Sequence, residues 1–309
     1  MTLPKQKRRK PIRLIVAIAA IAIGIFVFWH KDQHAAEAHP TPPKPAYNVT
    51  PNWPGTPAAA AVGVKGAGVL AKTGDTQPRP IASVAKLITA LAVLEKHPLK
   101  PGEAGPGINI TEHDEQLYRD YVAKNGTVVL VKAGVPISER DALEAMLLPS
   151  ANNVADTTAI WAFGSLKKYR EFAGHMLKKY RLNDTTVGVD ASGLDPSTKS
   201  TASDLVGLGE VALNSPVIAE IAKLPAAYIP FAGDIPNYNA MVTKYGYTGL
   251  KPGESIQAGN TLLYSTDVAI GGKTMTIIGS ILGTDSYRAS NAAALHIVDS
   301  VKNTLKSNP

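Results

Sequence analysis

Two groups of β-type segments, near the two ends of the region 58–309, constrain the fold of this chain most strongly. The first is a glycine-separated pair near residues 58–74, and the second covers residues 260–283. The residues between them mostly show the apolar spacing of amphipathic helices, and a further helical pattern at 286–306 ends the chain. This order predicts an α/β (α+β) domain in which one sheet is assembled from both ends, beside a helical subdomain.

The basic charge of the chain is concentrated at its N-terminus. The formal net charge is +7, and six basic residues without an acid among them precede residue 14: Lys5, Lys7, Arg8, Arg9, Lys10 and Arg13. The rest of the chain is close to neutral, so its composition does not predict nucleic acid as a partner. The absence of cysteine excludes disulfides, thiolate metal sites and a cysteine nucleophile.

An uncharged apolar run, Leu14–Trp29, follows these basic residues. With its flanks it is long enough for a membrane helix, and the preceding positive charges predict a cytoplasmic N-terminus. We therefore predict a single-pass cell-membrane protein with a cytoplasmic tail at 1–13, a transmembrane anchor at 14–30, a proline-rich linker at 31–57 and an extracytoplasmic catalytic domain at 58–309. The alternative is a secreted protein whose signal peptide is cleaved near Ala38.

Ser83 and Lys86 form the short motif with the clearest chemistry. Their spacing of three residues at the start of a helical pattern brings both side chains to one face. A serine hydroxyl becomes nucleophilic when a base takes its proton, and a desolvated lysine with a lowered pKa can do this. The same spacing occurs at Ser165 and Lys168, so the alternative for an isolated match is a capping serine and a solvated lysine.

Two further motifs follow in order along the chain. Ser150 and Asn152 lie at a break between helical patterns, and Lys251-Pro252-Gly253 precedes the C-terminal β-type segments. The ordered set Ser-x-x-Lys, Ser-x-Asn, Lys-x-Gly is typical of penicillin-recognising serine acyl-transferases. A literal Lys-Thr-Gly at 72–74 precedes the nucleophile and is predicted to form a turn in the first hairpin.

The chain resembles the low-molecular-mass penicillin-binding proteins, which are serine-type D-alanyl-D-alanine carboxypeptidases. The resemblance is carried by three segments: RPIASVAKLITALAVLE, LLPSANNVADTTA and KPGESIQAGNTLL. It implies the penicillin-recognising serine transpeptidase and β-lactamase-like fold, with an antiparallel sheet flanked by helices, a helical subdomain and an active site between them. It also implies removal of the terminal D-alanine from peptidoglycan stem peptides, covalent inhibition by β-lactam antibiotics, and no metal or other cofactor.

The resemblance gives each motif residue an expected role. Ser83 is the expected nucleophile, Lys86 its base, and Ser150 the relay of a proton to the leaving amine. Asn152 is expected to orient Lys86 and to bind the substrate amide. The substrate-binding residues are expected along the third motif, with the N–H groups of Ser83 and Glu254 as oxyanion donors: Lys251, Gly253, Glu254 and Ser255.

Pro252 departs from the family pattern, in which a threonine hydroxyl helps bind the terminal carboxylate of the substrate. An edge strand tolerates proline, so we expect an intact fold with weakened carboxylate binding. Asn153, where the family often has an acid, is a lesser departure. The alternative functions are a weakly active or non-catalytic peptidoglycan-binding protein and a β-lactamase. The β-lactamase reading uses Glu210 as a deacylating residue, although its pattern predicts a solvated helix position.

Overall fold

The computed structural model describes residues 47, 49–53, 55 and 57–307. The predicted cytoplasmic tail, membrane anchor and most of the predicted linker lie outside these described residues. Within the described ranges, none of the helices combines the length and the apolar composition needed to span a bilayer.

An antiparallel sheet of five strands forms the centre of the domain. The strands are β1 (Ala59–Val64), β2 (Gly68–Gly74), β9 (Gly249–Ser255), β10 (Gly259–Ile270) and β11 (Lys273–Thr284). Their order across the sheet is β2–β1–β11–β10–β9, so β1 pairs with β11 and the two ends of the domain meet. The prediction of one sheet assembled from both ends is confirmed.

Helices lie on both faces of this sheet and form a subdomain beside it. In chain order they are α1 (Ala85–Lys96), α2 (Glu112–Ala123), α3 (Glu139–Leu147), α4 (Asn152–Phe163), α5 (Leu166–Lys179), α6 (Ala202–Asn214), α7 (Pro216–Ile221), α8 (Ala240–Thr243) and α9 (Tyr287–Ser307). Three short antiparallel pairs connect them: β3 (Arg79–Pro80) with β6 (Lys199–Ser200), β4 (Gly107–Ile108) with β5 (Ile137–Ser138), and β7 (Ala226–Ile229) with β8 (Gly233–Pro236).

The two faces of the sheet belong to different apolar cores. Leu263 and Ile278 face the core that includes α1 and α6, whereas their chain neighbours Tyr264 and Ile277 face the core under α9. This alternation follows from the period of two along a strand. Each fully buried aliphatic side chain contributes about 1.5–3 kcal/mol, so both cores hold the strands in register. The expected arrangement of helices on both faces is confirmed.

The packed domain begins before the boundary predicted at residue 58. Val49 is buried in the core under α9, and Tyr47 and Trp53 pack against that core. The backbone N–H of Asn52 also donates to Ser300 Oγ at 3.0 Å. The prolines of this segment suppress helical and strand periodicity, but they do not prevent an extended chain from packing, and this explains the late boundary.

Helix α2 is absent from the sequence prediction because acidic and polar residues dominate it. Its available signal was the spacing of Thr111 and Asp114, which matches a capping box. Asp114 Oδ2 accepts a hydrogen bond from the Thr111 backbone N–H at 2.8 Å. The other carboxylate oxygen, Oδ1, accepts a hydrogen bond from the Thr157 hydroxyl at 2.7 Å, which joins α2 to α4. Tyr121, near the end of α2, makes its own contact with α4 through Asp156.

Glu139, the first residue of α3, is a fully buried carboxyl group. Neither of its carboxyl oxygens has a hydrogen-bond partner within the part of the chain that the structure describes. Burial raises the pKa of Glu139 from 4.5 to about 7. Because the folded state then holds a proton that the unfolded chain releases, this group lowers the free energy of unfolding as pH rises between those two values.

We expect Glu139→Gln to remove this pH dependence and to raise the free energy of unfolding at pH 8 by about 1–3 kcal/mol. Denaturant unfolding of both proteins at pH 5 and pH 8 measures the effect. Glu112→Gln is the matched control, because Glu112 is the exposed first residue of α2. An equal loss of stability with pH in wild type and Glu139→Gln would contradict the prediction.

Candidate active site

A cleft of about 1230 Å³ lies where the edge of the sheet meets the helical subdomain. Its lining includes four of the residues that the motifs predict, which are far apart in sequence: Ser83, Ser150, Asn152 and Lys251. Glu254 and Ser255 also border it. Among the described residues, no group of three or more His, Asp or Glu side chains is arranged to hold a metal ion.

Ser83 lies in a 3₁₀ turn, Ala82–Val84, that leads directly into α1. The helix itself begins at Ala85, slightly later than the sequence pattern predicts. The preceding residue, Ala82, has a φ of 46°, a left-handed value that is uncommon for a residue with a Cβ. Such local strain is typical of functional sites, and here it presents the Ser83 hydroxyl to the cleft.

Lys86 joins the first two motifs. Its Nζ, fully buried, lies 2.9 Å from Ser83 Oγ, 2.7 Å from Asn152 Oδ1 and 2.9 Å from the carbonyl oxygen of Ser192. Burial lowers the pKa of Lys86 to about 7, although the carboxylates of Asp190 and Asp156 oppose this lowering. Near neutral pH, a large fraction of the amine is therefore unprotonated and able to accept a proton.

Ser150 and Asn152 lie at the start of α4. Ser150, which lines the cleft, also has a left-handed φ, of 72°. The backbone N–H of Asn152 donates to the Thr127 carbonyl at 2.8 Å. The neighbouring Asn153 is turned away from Lys86, because its amide side chain exchanges two hydrogen bonds with the Val129 backbone, at 2.9 and 3.1 Å. The missing acid at this position is thus replaced by a structural contact.

The third motif lies in β9, the edge strand of the sheet. Pro252 keeps the pairing register, opposite Leu262 of β10, which agrees with the expectation that an edge strand tolerates proline. Lys251 is buried, and its Nζ donates to the Pro252 carbonyl at 3.3 Å. Burial, together with the charge of Lys86, lowers the pKa of Lys251 well below its usual value.

Ser255 closes the strand at the hairpin that leads to β10. Its Oγ accepts a hydrogen bond from the Ala258 backbone N–H at 3.1 Å, so the hydroxyl has a structural contact as well as a position at the cleft.

Gly253 brings the edge strand against the turn that carries Ser83. A Cβ on Gly253 would lie 2.9 Å from the Ser83 backbone nitrogen and 3.1 Å from the Ile81 carbonyl oxygen. A residue with a side chain would therefore force the strand and the turn apart. The close approach sets the Ser83 N–H beside the backbone that leads to Glu254, an arrangement suited to two oxyanion donors.

Sequence reasoning missed the residues behind Lys86. Asp156 of α4 accepts hydrogen bonds from Tyr121 of α2 and from the backbone of Ala191, and the next carbonyl, that of Ser192, contacts Lys86. Asp156 follows Asn152 by four residues, on the same helical face. An acid on this otherwise uncharged face was the available signal. No local pattern marks Tyr121 or the carbonyl of Ser192.

Two segments that resemble catalytic motifs in sequence have structural roles outside the cleft. Residues 72–74 are the last residues of β2 and not the predicted turn, since Lys72 pairs with Ala61 of β1. Glu210 lies in α6 as predicted, but it is not simply solvated, because its Oε1 accepts a hydrogen bond from the Gly66 N–H at 3.0 Å. Both features therefore serve the sheet and its helices.

Sequence comparison assigns this arrangement to a family. The profile of the D-alanyl-D-alanine carboxypeptidases matches residues 52–286, most of the chain and all three motifs. The chain belongs to this family. The predicted family is thereby confirmed.

Two curated relatives illustrate the likeness within the carboxypeptidase family. The chain is 29% identical over 231 residues to a D-alanyl-D-alanine endopeptidase of Haemophilus influenzae, which covers 72% of this chain and 74% of the relative. It is 23% identical over 288 residues to the D-alanyl-D-alanine carboxypeptidase DacD of Escherichia coli, which covers 89% of this chain and 68% of the relative.

Solved structures share the fold of this family member. A DD-transpeptidase of Streptomyces superposes with a TM-score of 0.70 at 21% identity, over 82% of this chain and 98% of its own. Penicillin-binding protein 6B of Escherichia coli superposes with a TM-score of 0.69 at 21% identity, over 82% of this chain and 81% of its own. The predicted fold class is confirmed.

We expect Gly253→Ala to lower kcat/KM at least about tenfold, because displacement of the strand from Ser83 misplaces the oxyanion donors. Steady-state hydrolysis of a D-alanyl-D-alanine peptide measures the loss, and denaturant unfolding monitors the fold. Gly174→Ala is the control, since a Cβ at Gly174 of α5 meets no atom within 4 Å. Unchanged kcat/KM in folded Gly253→Ala would contradict the role of the close approach.

Proposed function

We propose that this chain is a serine-type D-alanyl-D-alanine carboxypeptidase that removes the terminal D-alanine from peptidoglycan stem peptides. The observation that carries the proposal is the environment of Lys86. A neutral amine has one lone pair and two N–H donors, and Lys86 has three polar contacts. The lone pair can take the Ser83 proton while the two N–H groups hold Asn152 and Ser192.

The reaction begins with acylation of Ser83. Its Oγ attacks the carbonyl carbon of the penultimate D-alanine as Lys86 takes the hydroxyl proton. The backbone N–H groups of Ser83 and Glu254 stabilise the oxyanion. Collapse breaks the C–N bond, the proton on Lys86 passes by way of the Ser150 hydroxyl to the leaving amine, and D-alanine departs. Water then cleaves the Ser83 ester, which releases the shortened peptide and restores the serine.

The remaining motif residues bind and orient in this scheme. Asn152 holds Lys86 and offers its amide to the substrate backbone, while Lys251 supports the proton relay beside Ser150. Gly253 lets the substrate-binding strand approach Ser83, and Ser255 is the nearest cleft hydroxyl beyond Pro252 on the same strand. β-Lactam antibiotics, whose reactive amide acylates the same serine, are the expected covalent inhibitors.

The two alternatives predicted from sequence are less well supported than the carboxypeptidase. A non-catalytic binding protein does not account for the buried Lys86, whose lowered pKa suits a base. A β-lactamase requires a residue that activates the deacylating water. Glu210, its candidate, bonds instead to the N–H of Gly66, between β1 and β2.

Cleavage of crosslinks between two stem peptides is a second candidate activity. The relative from Haemophilus influenzae, at 29% identity, carries an endopeptidase name. A cleft of about 1230 Å³ also exceeds the space that one terminal dipeptide needs. Digestion of purified crosslinked muropeptide dimers, compared with uncrosslinked pentapeptides, distinguishes the two activities.

Our proposal for location rests on the N-terminal sequence. Six basic residues followed by the uncharged run Leu14–Trp29 favour a membrane anchor with a cytoplasmic N-terminus and an extracytoplasmic catalytic domain. Cleavage near Ala38 and secretion is the alternative. Either route would deliver the domain to peptidoglycan.

We expect benzylpenicillin to form a covalent adduct of one drug mass on the wild-type protein, and no adduct on Ser83→Ala. Intact mass spectrometry before and after incubation makes the measurement. A stable adduct, together with release of D-alanine from a pentapeptide, supports the carboxypeptidase. Rapid turnover of the drug would support the β-lactamase, and the absence of any adduct would support the non-catalytic protein.

We expect Pro252→Thr to raise kcat/KM for substrates with a free terminal carboxylate by about tenfold. The reason is that a hydrogen bond to a charged group contributes about 1.5–3 kcal/mol. The matched control is Pro252→Ala, which removes the ring without adding a hydroxyl. Equal rates for the two variants would show that the missing hydroxyl does not limit this enzyme.

A further inference from the structure

Asp156 is a buried carboxyl group directly behind the catalytic lysine. It is 3% exposed and borders the cleft from α4. Its Oδ2 accepts a hydrogen bond from the Tyr121 hydroxyl at 2.7 Å, and its Oδ1 accepts one from the Ala191 backbone N–H at 2.8 Å. Ala191 directly precedes Ser192, whose carbonyl oxygen contacts Lys86 Nζ at 2.9 Å.

We propose that Asp156, held by Tyr121, is a positioning residue for Lys86: it fixes the backbone at Ala191 and Ser192, and its negative charge balances the positive charge that Lys86 gains when it takes a proton. Asp156 itself touches neither substrate nor the reacting atoms in this scheme. The inference rests on the proposed function, because it requires Lys86 to act as the base for Ser83.

Helix α4 holds the surroundings of Lys86 through two of its side chains. Asn152 and Asp156 project from the same face of α4, one turn apart. Asn152 reaches Lys86 directly at 2.7 Å, whereas Asp156 reaches it through the chain that contains Ser192. One helix therefore controls two of the three groups around the amine, and any shift of Asp156 would move the Ser192 carbonyl relative to Asn152.

Neutral and titratable groups from several elements face Lys86. The neutral groups are Ser83 from the 3₁₀ turn, Asn152 from α4 and the Ser192 carbonyl. The titratable groups are Asp156 of α4, Asp190 of the loop before Ser192, Tyr121 of α2 and Lys251 of β9. The two carboxylates favour the protonated form of Lys86, whereas burial opposes it.

Tyr121 helps to keep the Asp156 carboxyl group ionised. Burial raises the pKa of Asp156 to about 6, while the hydrogen bonds from Tyr121 and Ala191 act in the opposite direction. Removal of the Tyr121 hydroxyl would therefore raise the pKa of Asp156 further and weaken its charge near neutral pH. Tyr121 therefore acts on Lys86 through Asp156, and its hydroxyl also lies 3.4 Å from Ser192 Oγ.

Asp190 limits the effect that a substitution at Asp156 can have on the titration of Lys86. Its carboxylate accepts hydrogen bonds from the backbone N–H groups of Gly193 and Asp195, at 2.7 and 2.9 Å, and so shapes the same loop. Asp190 remains in place when Asp156 is altered. The expected effect of an isosteric change at Asp156 is consequently a moderate shift in the titration of Lys86.

The test is the pH dependence of wild type, Asp156→Asn, Tyr121→Phe and the double variant, as the full chain. The readouts are kcat/KM for a D-alanyl-D-alanine peptide and the second-order rate of acylation by benzylpenicillin. The acid limb of the pH–rate profile is the range in which the rate falls as Lys86 becomes protonated. For Asp156→Asn we expect this limb to move to lower pH by about one pH unit, because loss of a negative charge lowers the pKa of Lys86.

The plateau rate of Asp156→Asn is expected to fall about three- to tenfold, since the lysine becomes a weaker base. Tyr121→Phe should move the limb in the same direction by less. The double variant should lie closer to Asp156→Asn than to the sum of the two single effects, because Tyr121 acts mainly through the Asp156 carboxylate. Tyr121→Phe also keeps the test informative if Asp156→Asn folds poorly.

Asp114→Asn is the matched control for a purely structural role. Asp114 is another buried carboxyl between α2 and α4, bonded to Thr157 at 2.7 Å. This variant should lower the free energy of unfolding and leave the acid limb in place. The inference is wrong if each of the variants Asp156→Asn and Tyr121→Phe loses the same factor in rate at every pH and keeps the acid limb of the wild type. If wild-type protein is neither acylated nor active at any pH, the proposed function fails as well.

Discussion

The burial of Lys86 is the constraint on which the active site depends. An ammonium group without water is costly, so the folded protein favours the neutral amine that acylation needs. The same burial requires that the polar atoms around Lys86 be hydrogen-bonded, because each one left without a partner would lower the free energy of unfolding by about 1–3 kcal/mol. Ser83, Asn152 and the Ser192 carbonyl satisfy the amine completely. Stability and reactivity therefore depend on the same three contacts.

Those contacts are supplied by segments that are distant in sequence. Asn152 lies 66 residues after Lys86, and Ser192 lies 106 residues after it. The sheet, which unites the two ends of the domain, brings Lys251 of β9 to the same cleft. The site can thus form only when the sheet and the helical subdomain have both assembled. A local change in either part is expected to reach Lys86 through the backbone.

Much of the site could be predicted from sequence because the side chains that carry its chemistry occur in short, ordered motifs. Ser83, Lys86, Asn152 and Lys251 belong to such motifs. Ser83, Asn152 and Lys251 line one cleft, and Lys86 lies buried beside Ser83 and Asn152. Tyr121 could not be predicted, since its partner Asp156 is 35 residues away and no periodicity links them. The sheet was predictable from its β-rich ends, whereas the packing of Val49 depends on tertiary contacts that proline-rich composition conceals.

The place of Pro252 in the outermost strand has a consequence for the behaviour of the protein in a crowded compartment. A free strand edge offers backbone donors and acceptors to any other extended chain, and this invites intermolecular sheet growth. Proline presents no donor and stiffens the strand, so it interrupts that template. The residue that we expect to weaken carboxylate binding thereby makes the outer edge of the sheet a poor surface for self-association.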